Sequence, residues 1–170
     1  MTPARRLVLV RHAKAEPFAE TDQARDLTER GRRDARAAGA YLREQGIKPD
    51  HAVVSSSQRT RSTWEAMEQE MGSGAAVDYD ESVYSGSTDV VLEALRVVPE
   101  DAEVVVFVGH QPSIGYLAHL LDDGEGDPMA LHAMLHGFPA SSAALFDVEV
   151  PWVDLGPETG RLMDFRSGEP

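Results

Sequence analysis

The stretch Leu7-Val8-Leu9-Val10-Arg11-His12-Ala13-Lys14 decides how the rest of the chain is read. Four apolar residues in a row end abruptly in Arg, His, Ala and Lys. A short apolar run with polar flanks is the pattern of a strand buried on both faces. In an open α/β sheet the carboxyl ends of such strands are where ligands bind. Arg11 and His12 at that rim place a fixed cation beside a nitrogen that can act as nucleophile or base. A hydrophobic strand has no packing reason to finish in Arg-His.

Two other stretches repeat the arrangement. Ser55-Ser56-Ser57-Gln58-Arg59-Thr60-Arg61 follows the apolar run Ala52-Val53-Val54, and Gly109-His110-Gln111-Pro112 follows Val104–Val108. Cations at a helix N-terminus are disfavoured by the macrodipole, by up to roughly 1 kcal/mol each. Arg59 at such a position makes sense if an anion sits between it and the backbone amides. Arg61 reads more simply as surface charge. The serine run offers small hydroxyl residues that let a ligand approach, and Gly109 lets the backbone turn sharply before His110.

Working outward, Thr28 is expected to cap a helix over Glu29–Gln45 that stops at Gly46, with Ala35, Ala38 and Leu42 as its buried stripe. Ser57 caps a second helix, Gln58–Met71, with Trp64, Met67 and Met71 facing inward. A short strand at Ala76–Tyr79 leads into the loop Asp80–Gly86. A helix over Thr88–Val97 follows, then a strand at Glu103–Val108, read as central, and a helix at Ser113–Leu121. Asp122–Asp127 reads as an acidic loop. Met129–His136 is a short helix, Ala140–Val148 a strand, and Leu162–Phe165 an edge strand. The last few residues are expected to be loose. Strand-helix alternation over most of the length predicts an α/β fold, a three-layer αβα sandwich with a mostly parallel sheet. The 170 residues are expected to form a single domain, 1–170.

Composition narrows the function. Sixteen Lys+Arg against 29 Asp+Glu give a net charge of −13, which argues against nucleic acid, because phosphates would be repelled on average. An anionic substrate would need a local cationic pocket, and the three strand ends would supply one. With no cysteine, disulfides, Cys-based zinc sites and thiol catalysis are excluded. The apolar run after Arg5-Arg6 is too short for an export signal, and no run approaches the ~20 residues that span a bilayer. A cytoplasmic protein without membrane contact is expected. His132 and His136 stand at i, i+4, a metal-ligand spacing, but no Glu lies between them, so half-buried packing is the simpler reading.

Together, Leu9-Val10-Arg11-His12, Ser55–Thr63 and Val108-Gly109-His110-Gln111-Pro112 resemble the histidine phosphatase superfamily, which includes phosphoglycerate mutases and many phosphatases. The short chain and the Arg-His-Ala-Lys-Ala form are similar to its small phosphohistidine-phosphatase branch. The match runs in order from Arg6 to about Leu121. The resemblance implies that His12 is a nucleophile that becomes phosphorylated, and that Arg11, Arg59 and His110 hold the phosphoryl oxygens. No metal or cofactor is implied, since two arginines and a histidine do a metal's electrostatic work. Glu81 occupies the loop where the family carries its proton donor, with Asp80 the alternative. Ala13 stands where the wider family usually has Gly.

Three functions are compatible: a metal-independent phosphatase acting on phosphohistidine in proteins, a phosphatase of small phosphate esters, or a non-catalytic phosphate- or phosphoprotein-binding module. A phosphohistidine leaves as imidazole, whose pKa near 6.5 makes it a better leaving group than an alkoxide.

Overall fold

The computed structural model describes residues 4–168. Six strands form one sheet: β1 (Arg5–Arg11), β2 (His51–Ser55), β3 (Ala76–Asp80), β4 (Val104–Gly109), β5 (Ala143–Val148) and β6 (Gly160–Arg166). Their order across the sheet is β3-β2-β4-β1-β5-β6. The β3-β2, β2-β4 and β4-β1 ladders are parallel, whereas β5 runs antiparallel to both β1 and β6. Five helices cover the faces: α1 (Glu29–Glu44), α2 (Gln58–Met71), α3 (Thr88–Arg96), α4 (Ser113–Leu121) and α5 (Pro128–Leu135). The expected three-layer α/β sandwich is what the chain forms.

Side-chain alternation explains the layering. On β1, Leu7 and Leu9 point to one face, where they join Val91, Leu92 and Leu95 of α3, Ile114 and Leu117 of α4 and Met134 of α5. Val8 and Val10 point to the other, against Ala38 and Leu42 of α1 and Trp64 and Met67 of α2. All four β1 residues are fully buried, as are Val105, Val106 and Val108 of β4. Each such side chain contributes roughly 1.5–3 kcal/mol of burial, so the run is apolar throughout rather than alternating.

The caps follow local chemistry. Thr28 Oγ1 accepts from the Gly31 amide at 3.0 Å, Ser57 Oγ from that of Thr60, and Asp127 from that of Ala130 at 2.8 Å. Ser87 holds the cap position of α3 without a side-chain bond. Gly72, at φ 57°, ends α2 in the left-handed conformation. At Gly31 the requirement is space: a Cβ there would stand 2.1 Å from the Lys14 carbonyl oxygen. That oxygen also accepts from the Thr28 amide at 3.0 Å, so α1 clamps the segment that follows β1.

Several expectations need correction. α1 ends at Glu44 and α3 at Arg96, β4 starts at Val104, and Pro128 opens α5 one residue early. Met71, in the last turn of α2, packs against the cluster on that face but is only half-buried. β5 begins at Ala143, not Ala140: Ser141 adopts φ 62° in a turn whose amide donates to the carbonyls of Arg11 and His12. β6 is longer than expected, since it pairs with the whole of β5. A single 3₁₀ turn, Trp152–Asp154, was too short to give a periodic signal; it buries Trp152, whose indole donates to the Ala102 carbonyl at 2.8 Å. Of the final residues expected to be loose, Gly168 is buried and its amide donates to Ser142 Oγ at 2.8 Å, while 169 and 170 lie outside the described residues. Among those described, no helix is long and apolar enough to cross a membrane.

Candidate active site

The strand register brings the three motifs together. Arg11 lies beside Gly109 and Val10 beside Val108, while Val54 pairs Val108 from the other side. The carboxyl ends of β1, β2 and β4 are therefore level. The ladder continues one step further, because the His12 amide donates to the Gly109 carbonyl at 3.0 Å. His12 and His110 emerge side by side with ring centroids 5.3 Å apart. Arg59, in the first turn of α2, is buried, and its charge acts on both histidines.

His12 has its tautomer set locally. Its Nδ1 lies 2.8 Å from the Ala13 carbonyl oxygen, which can only accept, so Nδ1 carries the proton and Nε2 keeps its lone pair. Ala13 is in turn fixed: its amide donates to Thr63 Oγ1 at 3.0 Å, and Thr63 Oγ1 donates to the Arg59 carbonyl at 2.7 Å. Ala13 does not adopt positive φ; its methyl is fully buried with Leu27, Ala35 and Ala66, so Ala fits here where Gly was the familiar residue. Burial pushes the His12 pKa down to about 3, with the charges of Arg59 and Arg11 adding to it. The ring is neutral at neutral pH.

Its neighbours are donors. Arg11 Nη1 donates to the Phe138 carbonyl at 3.0 Å, whereas its buried Nε has no partner among the described residues. An unmet buried donor costs about 1–3 kcal/mol, which an oxyanion at that point would relieve. Burial lowers the Arg11 pKa from its ordinary value, yet arginine starts high enough to stay charged. Arg59 donates through Nη1 to the Asp22 carbonyl at 2.8 Å and through Nη2 to the Asp22 carboxylate at 3.1 Å. Its guanidinium also lies 5.9 Å from the Tyr84 ring centroid. His110 is held at Nε2 by Ser55 Oγ at 2.8 Å, and burial followed by the Arg59 charge pushes its pKa down to about 4.

Other assignments come out differently. Glu81 is exposed and lines a cleft with Val53, Asp78, Ala94, Val97 and Val98, without a hydrogen bond or ion pair to the four residues above. Asp80 is engaged by the Ser82 amide at 2.8 Å and the Ser82 hydroxyl at 2.6 Å. Ser55 and Ser57 are fully buried hydrogen-bonding residues rather than open floor for a ligand. Arg61 is tied by Nε to the Ser56 carbonyl at 2.9 Å and lies 4.1 Å from the Tyr79 ring centroid, which makes it structural. Gly109 has no positive φ; a Cβ there would come within 2.4 Å of the Phe107 ring, so the need is space rather than a bend. His132 and His136 contact each other at 4.5 Å between centroids, with His136 Nδ1 bonded to the His132 carbonyl. No cluster of three or more potential metal ligands occurs among the described residues.

Sequence reading missed Asp22, Thr63 and Tyr84. Asp22 lies in an aperiodic polar loop and Tyr84 in another, so neither carries a local signal. Thr63 entered only as the end of the Ser55–Thr63 motif, without a role. Tyr84 donates to the Asp22 carboxylate and meets His110 edge-on at 5.7 Å, so it joins the two loops over the site.

Comparison with known proteins agrees with the geometry. Residues 7–84 match the family model described as histidine phosphatase superfamily, branch 1. An uncharacterised protein of Mycobacterium tuberculosis is 31% identical over 92% of this chain and 98% of its own length. SixA of Nakamurella multipartitia, provisionally named a phosphohistidine phosphatase, superposes with a TM-score of 0.86 at 34% identity, covering 99% of each chain. A protein histidine phosphatase SixA solved with tungstate, 22% identical over 95% of this chain and 96% of its own, shares the fold at a TM-score of 0.78. Motifs, fold and relatives agree, and the chain belongs to the histidine phosphatase superfamily, in its small SixA-like branch.

Proposed function

We propose that this protein is a metal-independent phosphatase that removes phosphoryl groups from phosphohistidine in proteins through a phospho-His12 intermediate. The observation that carries the reading is the hydrogen bond from His12 Nδ1 to the Ala13 carbonyl. It leaves Nε2 as a neutral nucleophile, aimed by the backbone rather than by a separate base.

In the first step the Nε2 lone pair bonds to phosphorus, and the bond from phosphorus to the leaving nitrogen breaks with its electron pair going to that nitrogen; a substrate ring protonated on its other nitrogen departs as neutral imidazole. His12 becomes cationic, its proton staying on Nδ1, which donates it to the Ala13 carbonyl. In the second step water bonds to phosphorus, the Nε2–P bond breaks, and inorganic phosphate and neutral His12 result. Arg11, Arg59 and His110 stabilise the phosphoryl oxygens, where positioning and charge matter most. The orphan Nε of Arg11 supports an oxyanion at this point.

A macromolecular substrate is supported by the rim. His12 and His110 are half-buried at the carboxyl ends of the two central strands, while Lys14, Asp22, Gln111 and Pro112, close to them in the chain or joined to Arg59, are exposed. The provisional name of the Nakamurella relative supports the same substrate class.

The test uses a phosphohistidine peptide and a generic phosphate ester, each with and without chelator, on wild type and His12→Ala. Chelator-resistant turnover, faster on the peptide and about 10³-fold or more slower in His12→Ala, is expected. Preference for the ester would redirect the reading to small phosphate esters. Undiminished activity in His12→Ala would rule out the covalent route, and phosphate binding without turnover would leave a binding module.

A further inference from the structure

A neutral imidazole carries one N–H, and its position decides whether the opposite nitrogen donates to a phosphoryl oxygen or repels it. For His12 the Ala13 carbonyl makes that choice. At His110 the partner is a hydroxyl, Ser55 Oγ, 2.8 Å from Nε2. Ser55 is the fully buried last residue of β2, and its hydroxyl has no other hydrogen bond among the described residues. The next two serines cannot substitute. Ser56 Oγ accepts from Gln23, and Ser57 Oγ caps α2 and bonds Thr60 Oγ1.

A hydroxyl can donate or accept, but the oxygens of a phosphoryl dianion only accept. With such an oxygen at Nδ1, both ring nitrogens are satisfied in one way alone: Nδ1 donates outward and Nε2 accepts from Ser55. We infer that Ser55 is a positioning residue that holds His110 as its Nδ1–H tautomer, so that a neutral His110 donates a hydrogen bond to the phosphoryl group. The inference rests on the phosphatase reading and extends it to a residue that touches no substrate.

The surroundings make the tautomer matter. Facing His110 are Arg11 from β1, His12 directly after it, Arg59 from α2, Tyr84 from the loop after β3 and Asp22 from the segment after β1. Burial and the two arginines disfavour a cationic ring. A doubly protonated His110 would donate from both nitrogens whatever Ser55 did. A neutral one needs its single proton on the correct atom.

The experiment is two-bond ¹H–¹⁵N correlation of the histidine ring nitrogens at neutral pH, with and without inorganic phosphate, on wild type, Ser55→Ala and Ser55→Thr. It is run beside kcat and KM profiles over pH. Wild type with phosphate is expected to show protonated Nδ1 and bare Nε2 at His110. Ser55→Ala should move the proton toward Nε2 and lower kcat/KM about tenfold, and Ser55→Thr should restore both. Protonated Nε2 in phosphate-bound wild type, or an unchanged ring pattern in Ser55→Ala, would overturn the inference. The ring signals need no turnover. Inactive wild type would therefore remove the phosphatase reading while the spectra still decide on Ser55.

Discussion

Arg59 and Asp22 are joined twice, by the Nη1 bond to the Asp22 carbonyl and the Nη2 bond to its carboxylate. The arginine is buried and the aspartate exposed, so the pair ties a loop to the site rather than stabilising a core. The Tyr84 hydroxyl and Arg25 also donate to the same carboxylate; with Arg59 they hold its pKa well below the usual carboxylate range. Asp22 therefore stays ionised across the working range and orients Arg59, leaving the other guanidinium N–H groups for an anion.

Replacing that carboxylate tests the orientation. Asp22→Ala is expected to lower kcat/KM about tenfold through misplacement of Arg59. The unfolding midpoint should move little, because the carboxylate end of the pair is exposed and Arg59 keeps its bond to the backbone carbonyl of residue 22. Steady-state kinetics beside a thermal melt separates the two. Unchanged kinetics would mean that Arg59 is held by its own packing.

Thr63 links the nucleophile segment to α2. Thr63→Val keeps the shape but removes the acceptor of the Ala13 amide and the donor to the Arg59 carbonyl. A buried amide left unmet costs about 1–3 kcal/mol, so denaturant melts should show a loss of that order. The rate should fall as well, because the Ala13 carbonyl aims His12.

Acid should destabilise the fold through the same histidines. The pKa values of His12 and His110 fall to about 3 and about 4, while an unfolded histidine titrates near 6.5. Between these limits the unfolded chain binds more protons, so stability drops as pH falls from about 6.5 toward 4 and is unaffected by these groups above that range. Thermal melts across this interval should show a steeper decline in wild type than in a His12→Asn, His110→Asn double variant. Equal slopes would show that other groups dominate.

Glu81 is tested by leaving group. If it supplies the proton, Glu81→Gln should slow cleavage of an alkyl phosphate about 10²-fold and leave phosphohistidine cleavage nearly unchanged, since imidazole departs without strong acid help. Measured rates that fall equally on both substrates, or on neither, would exclude Glu81 as the donor. Its place in the cleft beside α3 is the geometry that this comparison probes.

Much of the site was readable because its residues interrupt a pattern. Arg11-His12 and Gly109-His110 end apolar runs, and Arg59 sits where a helix start disfavours a cation. What surrounds them was not readable. Asp22 and Tyr84 occupy loops in which polar residues are ordinary, and they meet over 62 residues of separation. Ser55 looked like ligand floor, and only the neighbouring strand shows that its hydroxyl is taken by His110.

The chain's own order of residues determined the α/β layering, since apolar runs too short for helices must pair as strands and amphipathic segments between them must cover both faces. It also determined which strands end in chemistry. The tertiary structure decided the rest: the parallel register that levels β1, β2 and β4, the Ser141 turn that delays β5, and the hydrogen bonds that meet His12 Nδ1 and His110 Nε2. The physical reason is range. Periodicity and strand ends are local properties, whereas a register, a tautomer and a clamped arginine depend on partners that meet only after folding.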